Sequence, residues 1–325
     1  MKTEAGPSSR KIDTMNAIAK PDLAYVALAS RDTERTAKFL GDDLELSNFT
    51  VTLPTGENAQ AFRVGETALL LLPEGHAFLT SGKPGVDHIA IAAADPVAAR
   101  NTCGLASQQI DDAGLDGTIQ TALNRQDTCG VDTRFARPLN LPQNQSQMVN
   151  RIDHLGIASA DNATAETVFC GKLGAIYESR QTDMEVATAM ESFTSDKYGA
   201  VYHTRAPEIV GGLRVSFLTV GDLELEFLQN FDPAMGLNIE HGTPGNTKQD
   251  QSAIGRFVEK RGGGLHHIAF NVDDIDDKLQ RMQDCGHQMI DIVGRRGSRR
   301  AHIGFIHPSS TGGILFHFVD RPELD

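Results

Sequence analysis

The sequence predicts an α+β fold made of four copies of one strand–helix–strands unit, and two observations carry that prediction. One short phrase occurs four times, as LAYVAL at 23–28, VDHIAI at 86–91, IDHLGI at 152–157 and LHHIAF at 265–270. Each copy then runs into an Asp and an amphipathic stretch. A repeat of this kind fixes the architecture before any residue is given a role.

The elements of each unit follow from local patterns. Each phrase alternates or runs apolar, which indicates a strand. Helices led by a capping Asp are predicted at 32–40, 161–169 and 273–282. Further strands are predicted at 68–72, 213–218, 223–228, 302–306 and 314–319. The four units therefore span about 22–80, 86–140, 152–230 and 265–320.

The spacing of the units predicts where the chain divides. More residues separate the third copy from the fourth than separate the other copies. The extra residues are at 182–212 and in a polar loop at 232–264, which is predicted to contain one short helix at 253–260. A Gln/Asn-rich linker at 141–149 marks the boundary between halves. We expect a disordered tail at 1–20, an N-terminal module at 21–145 and a C-terminal module at 150–325.

Composition narrows the class of partner. The net charge is −13 and no Lys/Arg run forms a stripe, which argues against nucleic acid or a membrane surface and leaves a small-molecule substrate. No apolar run is long enough to span a bilayer, and residues 1–20 lack an apolar signal core. The four cysteines form no C-x-x-C pair, which favours free thiols and a cytoplasmic location.

The C-terminal half resembles the vicinal oxygen chelate superfamily, which includes glyoxalase I, methylmalonyl-CoA epimerase and the extradiol dioxygenases, and it is most similar to the epimerases. The resemblance is carried by the segments 152–158, 220–228, 254–261, 262–270 and 307–313. It implies tandem paired βαβββ units whose mixed sheets curl into barrel-like cups, as two modules of two units each.

The resemblance also implies one divalent metal per chain, held by the first and last strands of each unit in the C-terminal module. Carried over, the ligands are His154, Glu226, His267 and His317. The epimerases have glutamate at the last position, so His317 departs from their pattern. Three imidazoles and one carboxylate suit Zn, Fe, Mn, Co or Ni. The competing interpretation is that these are strand histidines satisfied by hydrogen bonds. Strand alternation predicts that His266 points to the opposite face from His267 and is structural.

The N-terminal module is predicted to be metal-free. Its matching positions are Tyr25, Leu70, His88 and Arg134, and of these only His88 can ligate a metal. A structural role for this half and a vestigial binding cleft both remain open.

The function that the resemblance implies is that of a metal-dependent epimerase, isomerase or lyase, acting through a metal-stabilised enolate on an acyl-CoA or a sugar-like ketone. The candidate catalytic residues are Glu224, Glu226 and His317, and Glu185, Glu191 and Glu208 also remain open as bases. The alternatives are a non-haem iron dioxygenase of the extradiol type and a non-catalytic binding protein of the resistance type. We expect a monomer or a homodimer.

Overall fold

A computed structural model describes residues 21–106, 112–187, 190–195, 197, 199–204, 208–231 and 252–321. The predicted tail at 1–20 lies outside these residues. The described chain forms two curled eight-stranded mixed sheets, a two-stranded hairpin and few helices. This confirms the α+β class and the paired βαβββ units.

The N-terminal sheet is formed by the first two units. Its strands are β1 (Leu23–Ser30), β2 (Asn48–Thr52), β3 (Asn58–Val64), β4 (Thr67–Pro73), β5 (Gly85–Ala92), β6 (Asp112–Ala113), β7 (Ile119–Ala122) and β8 (Thr133–Ala136). Their order is β2-β3-β4-β1-β5-β8-β7-β6. The two phrase strands, β1 and β5, pair antiparallel at the centre, and each pairs in parallel with the last long strand of its unit.

The C-terminal sheet repeats this topology. Its strands are β9 (Arg151–Ala158), β10 (Ile176–Ala187), β13 (Glu208–Val220), β14 (Leu223–Phe231), β15 (Gly264–Asn271), β16 (Arg295–Arg296), β17 (His302–Ile306) and β18 (Phe316–Asp320). Their order is β10-β13-β14-β9-β15-β18-β17-β16. The extra residues at 182–212 lengthen β10 and β13 and form a hairpin of β11 (Met190–Ser195) and β12 (Gly199–Thr204).

The three helices predicted from Asp signals form at the predicted places, and two further helices accompany them in the described ranges. They are α1 (Thr33–Lys38), α2 (Pro96–Cys103), α3 (Asn162–Gly171), α4 (Ser252–Arg261) and α5 (Ile275–Asp284). The side chains of Asp32, Asp95, Asp161 and Asp274 each accept a hydrogen bond from a backbone N–H of the first turn. These bonds satisfy donors that the helix itself leaves free. None of the helices in the described ranges is long and apolar enough to cross a membrane.

One hydrophobic core joins the two sheets. Leu28 and Phe135 from the first half belong to the same buried cluster as Ile157 and Phe316 from the second. The rings of Phe39 and Phe316 lie 5.2 Å apart across the junction. Burial of this apolar surface holds the halves together. That the halves act as separate domains at the predicted boundaries stays a prediction.

Candidate metal centre

The four predicted ligands project from neighbouring central strands of the C-terminal sheet. They are His154 on β9, Glu226 on β14, His267 on β15 and His317 on β18. His154 and His317 both pair with Ala269, while Glu226 and His267 both pair with Gly156. Paired residues on adjacent strands share a face, and so do residues two apart on one strand. The register therefore places all four side chains on one face of the sheet.

The four side chains meet inside the cup, and all are buried. His154 Nε2 lies 3.2 Å from Glu226 Oε2 and 3.2 Å from His317 Nε2. His267 Nε2 lies 3.6 Å from the same Glu226 oxygen. One ring nitrogen from each of the three histidines falls within 4.8 Å of the other two. Glu226 contacts two of the three imidazoles, so it sits at one side of the triangle that they form.

The donor atoms fit a divalent metal. His154 donates its Nδ1–H to Asp153 Oδ1 over 2.7 Å, which leaves Nε2 as the nitrogen that would lose its proton and face an ion in the cup. His267 Nε2 is buried and has no hydrogen-bond partner among the described residues. Buried polar atoms are rarely left in that state. A cation between the imidazoles would take these lone pairs, and three nitrogens with one carboxylate suit a borderline metal.

The electrostatics of the cup favour a positive charge beside Glu226. Burial opposes the charge on His154, but Glu226 and Asp153 override it and raise the pKa of His154 to about 9. Burial likewise opposes the charge of Glu226, and His154 and His267 nevertheless hold the pKa of that carboxyl well below its usual range. Burial lowers the pKa of His317 well below its usual value, and the neighbouring histidines add to that effect.

Two residues that we did not predict support the ligands. Asp153 is buried and accepts from both His154 and Arg321, the latter over 2.5 Å. The dipeptide Asp-His recurs at 87–88 and 153–154, a signal that was visible in the sequence. His266 lies with its Nδ1 3.0 Å from Nδ1 of His267. We expected His266 to point to the opposite face, but a register shift between Leu265 and His267 places a bulge there.

Glu224, a predicted catalytic residue, is held by two arginines. Arg299 donates to Glu224 Oε1 over 2.9 Å, and Arg321 lies 3.6 Å from Oε2. The Arg299 guanidinium also stacks over the ring of Phe217, 3.5 Å from its centre. Arg299 lies in the segment 295–300, which contains four arginines, and this contact places part of the segment over the cup. Glu185, Glu191 and Glu208 lie on β10, β11 and β13, and the structure describes their backbone without their side chains.

The cavity around the ligands is small and enclosed. It measures about 50 Å³. Its walls are His154, Leu213, Phe217, Glu226, Leu228, His267, Ser298, Ala301, Ile303, Phe305, His317, Val319 and Arg321. A space of that size holds an ion with one or two waters or the reacting end of a substrate. The apolar walls keep bulk water away and strengthen every charge interaction inside.

The N-terminal cup presents different side chains at the equivalent positions. Tyr25 and Arg134 both pair with Ala90, as His154 and His317 pair with Ala269. Leu70 and His88 both pair with Ala27, which occupies the place of Gly156. The four residues at the equivalent N-terminal positions therefore differ chemically from the four candidate ligands. Neither a guanidinium nor a leucine side chain can bind a cation.

Gly156 leaves the space that the His267 ring occupies. A Cβ at this position would lie 2.0 Å from His267 Cε1. We expect Gly156→Ala to displace the imidazole and weaken metal binding by about tenfold or more, the effect of disturbing a ligand's support. Competition against a coloured chelator measures that affinity. The matched control is Ala27→Gly at the equivalent N-terminal position, and wild-type affinity in Gly156→Ala would contradict this geometry.

Comparison with known proteins finds relatives of the region that holds the site. Residues 153–305 match the model of the Glyoxalase/Bleomycin resistance protein/Dioxygenase superfamily. The Bacillus subtilis protein YqjC, of uncharacterised function, is 26% identical over 53% of this chain and 93% of its own length. The ethylmalonyl-CoA/methylmalonyl-CoA epimerase of Cereibacter sphaeroides is 24% identical over 52% of this chain and 96% of its own length. Against the mitochondrial methylmalonyl-CoA epimerase of Dictyostelium discoideum, 32% identical, the match spans 22% of this chain and 44% of that enzyme.

One solved structure is similar over nearly the whole chain. A mutant of 4-hydroxymandelate synthase from Streptomyces coelicolor aligns with a TM-score of 0.59, covering 95% of this chain and 94% of that one. The sequence identity is 15%, so the likeness concerns the fold alone. It extends over both modules, whereas the sequence relatives above match about half of the chain or less.

Proposed function

We propose that this chain, whose residues 153–305 match the model of the glyoxalase/bleomycin resistance/dioxygenase superfamily, is a metal-dependent epimerase, isomerase or lyase. It would act on a small molecule with two neighbouring oxygens. The observation that carries the proposal is the meeting of three imidazoles and one carboxylate in one enclosed cavity. His154, Glu226, His267 and His317 would hold one divalent ion, with Zn, Fe, Mn, Co and Ni as the candidates.

The bound ion would supply Lewis acidity, which lowers the pKa of a C–H beside the substrate oxygens. The chain's own residues would hold the reacting group and move the proton. Asp153 fixes the tautomer of His154, and Arg321 fixes Asp153. The rings of Phe217 and Phe305 line the cavity and exclude water from the reacting carbon.

The proton carrier must reach the substrate inside the cavity. Of the three predicted catalytic residues, Glu226 and His317 line the cavity, and we propose that one of them moves the proton. Glu224 does not line it and is engaged by Arg299 and Arg321. We therefore assign Glu224 to holding these two arginines at the edge of the cup.

The size of the cavity bears on the substrate class. The cavity that the described residues form has a volume of about 50 Å³, so it admits only the head of an acyl-CoA, with the nucleotide outside. A small α-hydroxy ketone would fit with less rearrangement. Both classes remain within the proposal. The curated epimerases named above motivate the acyl-CoA arm of the test.

A dioxygenase is the second candidate, and the donor set is what favours it. His154 and His267 supply two imidazoles, and Glu226 supplies one carboxylate. The Nε2 atoms of the two histidines lie 3.2 Å and 3.6 Å, respectively, from Glu226 Oε2. That combination, with open positions, is typical of non-haem iron oxygenases.

Isotope exchange separates the candidates. The metal-loaded full chain would be incubated in heavy water with methylmalonyl-CoA or with an α-hydroxy ketone sugar. Incorporation of one deuterium at the carbon beside the oxygens, without oxygen uptake, is the expected result. Oxygen consumption with a catechol would favour the dioxygenase. Binding of these compounds without exchange or oxygen uptake would favour the non-catalytic alternative.

A further inference from the structure

A second cavity lies in the N-terminal cup, about 410 Å³ in volume. Its walls are Leu53, Pro54, Thr55, His76, Ala77, Phe78, Leu79, Thr80, Ala113, Gln120, Ala122 and Arg134. This volume is within the range of small-molecule sites, which are mostly apolar with a few placed polar groups. The cavity shares no wall residue with the metal centre.

The polar group that dominates this cavity is the guanidinium of Arg134, which stands at the register position of His317. Arg134 is more than nine-tenths buried. One of its terminal nitrogens donates to the carbonyl oxygen of Phe78 over 2.8 Å, and its central carbon lies 4.7 Å from the centre of the Phe78 ring. Its Nε has no hydrogen-bond partner. Within the described part of the chain, no carboxylate pairs with this guanidinium.

Tyr25 and Gln120 complete the polar side of the cup. The Tyr25 hydroxyl donates to Gln120 Oε1 over 2.9 Å. The Gln120 amide oxygen accepts this bond, and its amide nitrogen is a donor. Gln120 lines the cavity, so this nitrogen can donate to a ligand there. Burial raises the pKa of Tyr25 to about 12, so its hydroxyl stays neutral and provides no counter-charge for Arg134.

Two neighbouring acids, Asp132 and Asp87, are already committed, and Asp132 lies 3.2 Å from Arg125. Asp87 accepts from His88 over 2.6 Å, and it also accepts from the backbone N–H groups of Thr80 and Ser81. A buried cation without an anion is unfavourable, and proteins normally pair it. A planar guanidinium matches a carboxylate with two parallel hydrogen bonds. The missing partner of Arg134 therefore has the chemistry of a carboxylate.

We propose that the N-terminal cup is a second ligand site, which binds a small organic carboxylate between Arg134, Gln120 and Phe78. The carboxylate pairs with the guanidinium, the Gln120 amide donates to it, and the apolar body of the ligand packs on Phe78, Leu53 and Ala122. In the C-terminal cup, a bound cation would hold the oxygens of the substrate. In the N-terminal cup, the guanidinium of Arg134 supplies the positive charge. The site does not depend on the proposed metal chemistry.

Fluorine NMR with para-fluorobenzoate tests the site on the full chain stripped of metal by a chelator. We expect the ligand resonance to broaden at millimolar concentration, while its neutral analogue para-fluorobenzamide is unaffected. Arg134→Gln should abolish the broadening. The matched control is His317→Gln, which changes the equivalent position of the other cup and should leave the broadening intact.

Arg134→Lys keeps the charge but lacks the fork, so it should weaken binding by about tenfold. This variant decides the matter if Arg134→Gln does not fold, as judged by circular dichroism. The site is disproved if fluorobenzoate fails to bind wild type, or if it binds the folded Arg134→Gln or Arg134→Lys variant as tightly as wild type. Equal binding of the benzamide would also overturn the role of the charge.

Discussion

The His154→Ala/His267→Ala double variant is expected to purify without metal, whereas the wild type should carry about one divalent ion per chain. These imidazoles come from the two central strands of the sheet, and both contact Glu226. Removing them leaves one imidazole and one carboxylate, too few ligands for a stable site. Elemental analysis after growth with Zn, Fe, Mn, Co and Ni supplied together measures the content.

The matched control for the double variant is His88→Ala. His88 stands at the register position of His267 but in the N-terminal cup, and it is equally buried. This control should keep the full metal content. Circular dichroism establishes that both variants fold. Metal retained by the double variant, or lost equally by the control, would place the ion elsewhere in the chain.

Asp153→Asn is expected to weaken metal binding by about 10–100-fold, the usual effect of removing a carboxylate that orients a histidine ligand. Asp153 is buried, lies 2.7 Å from His154 Nδ1 and is itself held by Arg321. The replacement amide still accepts the hydrogen bond from His154. It no longer carries the negative charge that makes the imidazole a stronger metal ligand. Chelator competition on the folded variant gives the affinity.

The N-terminal module offers the control for this change as well. Asp87 makes the same contact with His88, over 2.6 Å. In that cup Arg134 stands at the register position of His317, and a guanidinium cannot bind a metal. Asp87→Asn should therefore leave the metal affinity unchanged. If Asp153→Asn bound metal as tightly as wild type, the Asp153–His154 contact would be structural and would not tune the site.

Much of this architecture was predictable because it rests on short-range patterns. The four phrases become β1, β5, β9 and β15, and the Asp signals become helix caps. Period-two alternation together with the family resemblance was enough to select His154 and His267. Several boundaries differ; for example, the strand predicted at 314–319 begins at Phe316, after a turn in which Thr311 Oγ1 bonds the Ile314 carbonyl oxygen.

Other features of the site were not predictable, because they depend on residues far apart in sequence. The contacts of Glu224 with Arg299 and Arg321 join residues about 75 and 97 positions apart, and its predicted catalytic role stays a prediction. His266 was expected on the opposite face, and a single bulge turns its ring toward His267. Alternation describes a regular strand and carries no information about bulges or about which loop will cover a face.

The sequence by itself determined the repeated unit, because strand periodicity and helix capping are local properties, and its resemblance to a known superfamily supplied the topology and the candidate ligands. Only the tertiary structure decided how these residues meet. It brought three imidazoles and Glu226 together, closed the cavity to about 50 Å³ and buried Arg134 in the other cup, where no carboxylate of the described residues pairs with it. Each of these outcomes depends on the register and packing of distant strands, which set the distances and the solvent exclusion that give the side chains their chemistry.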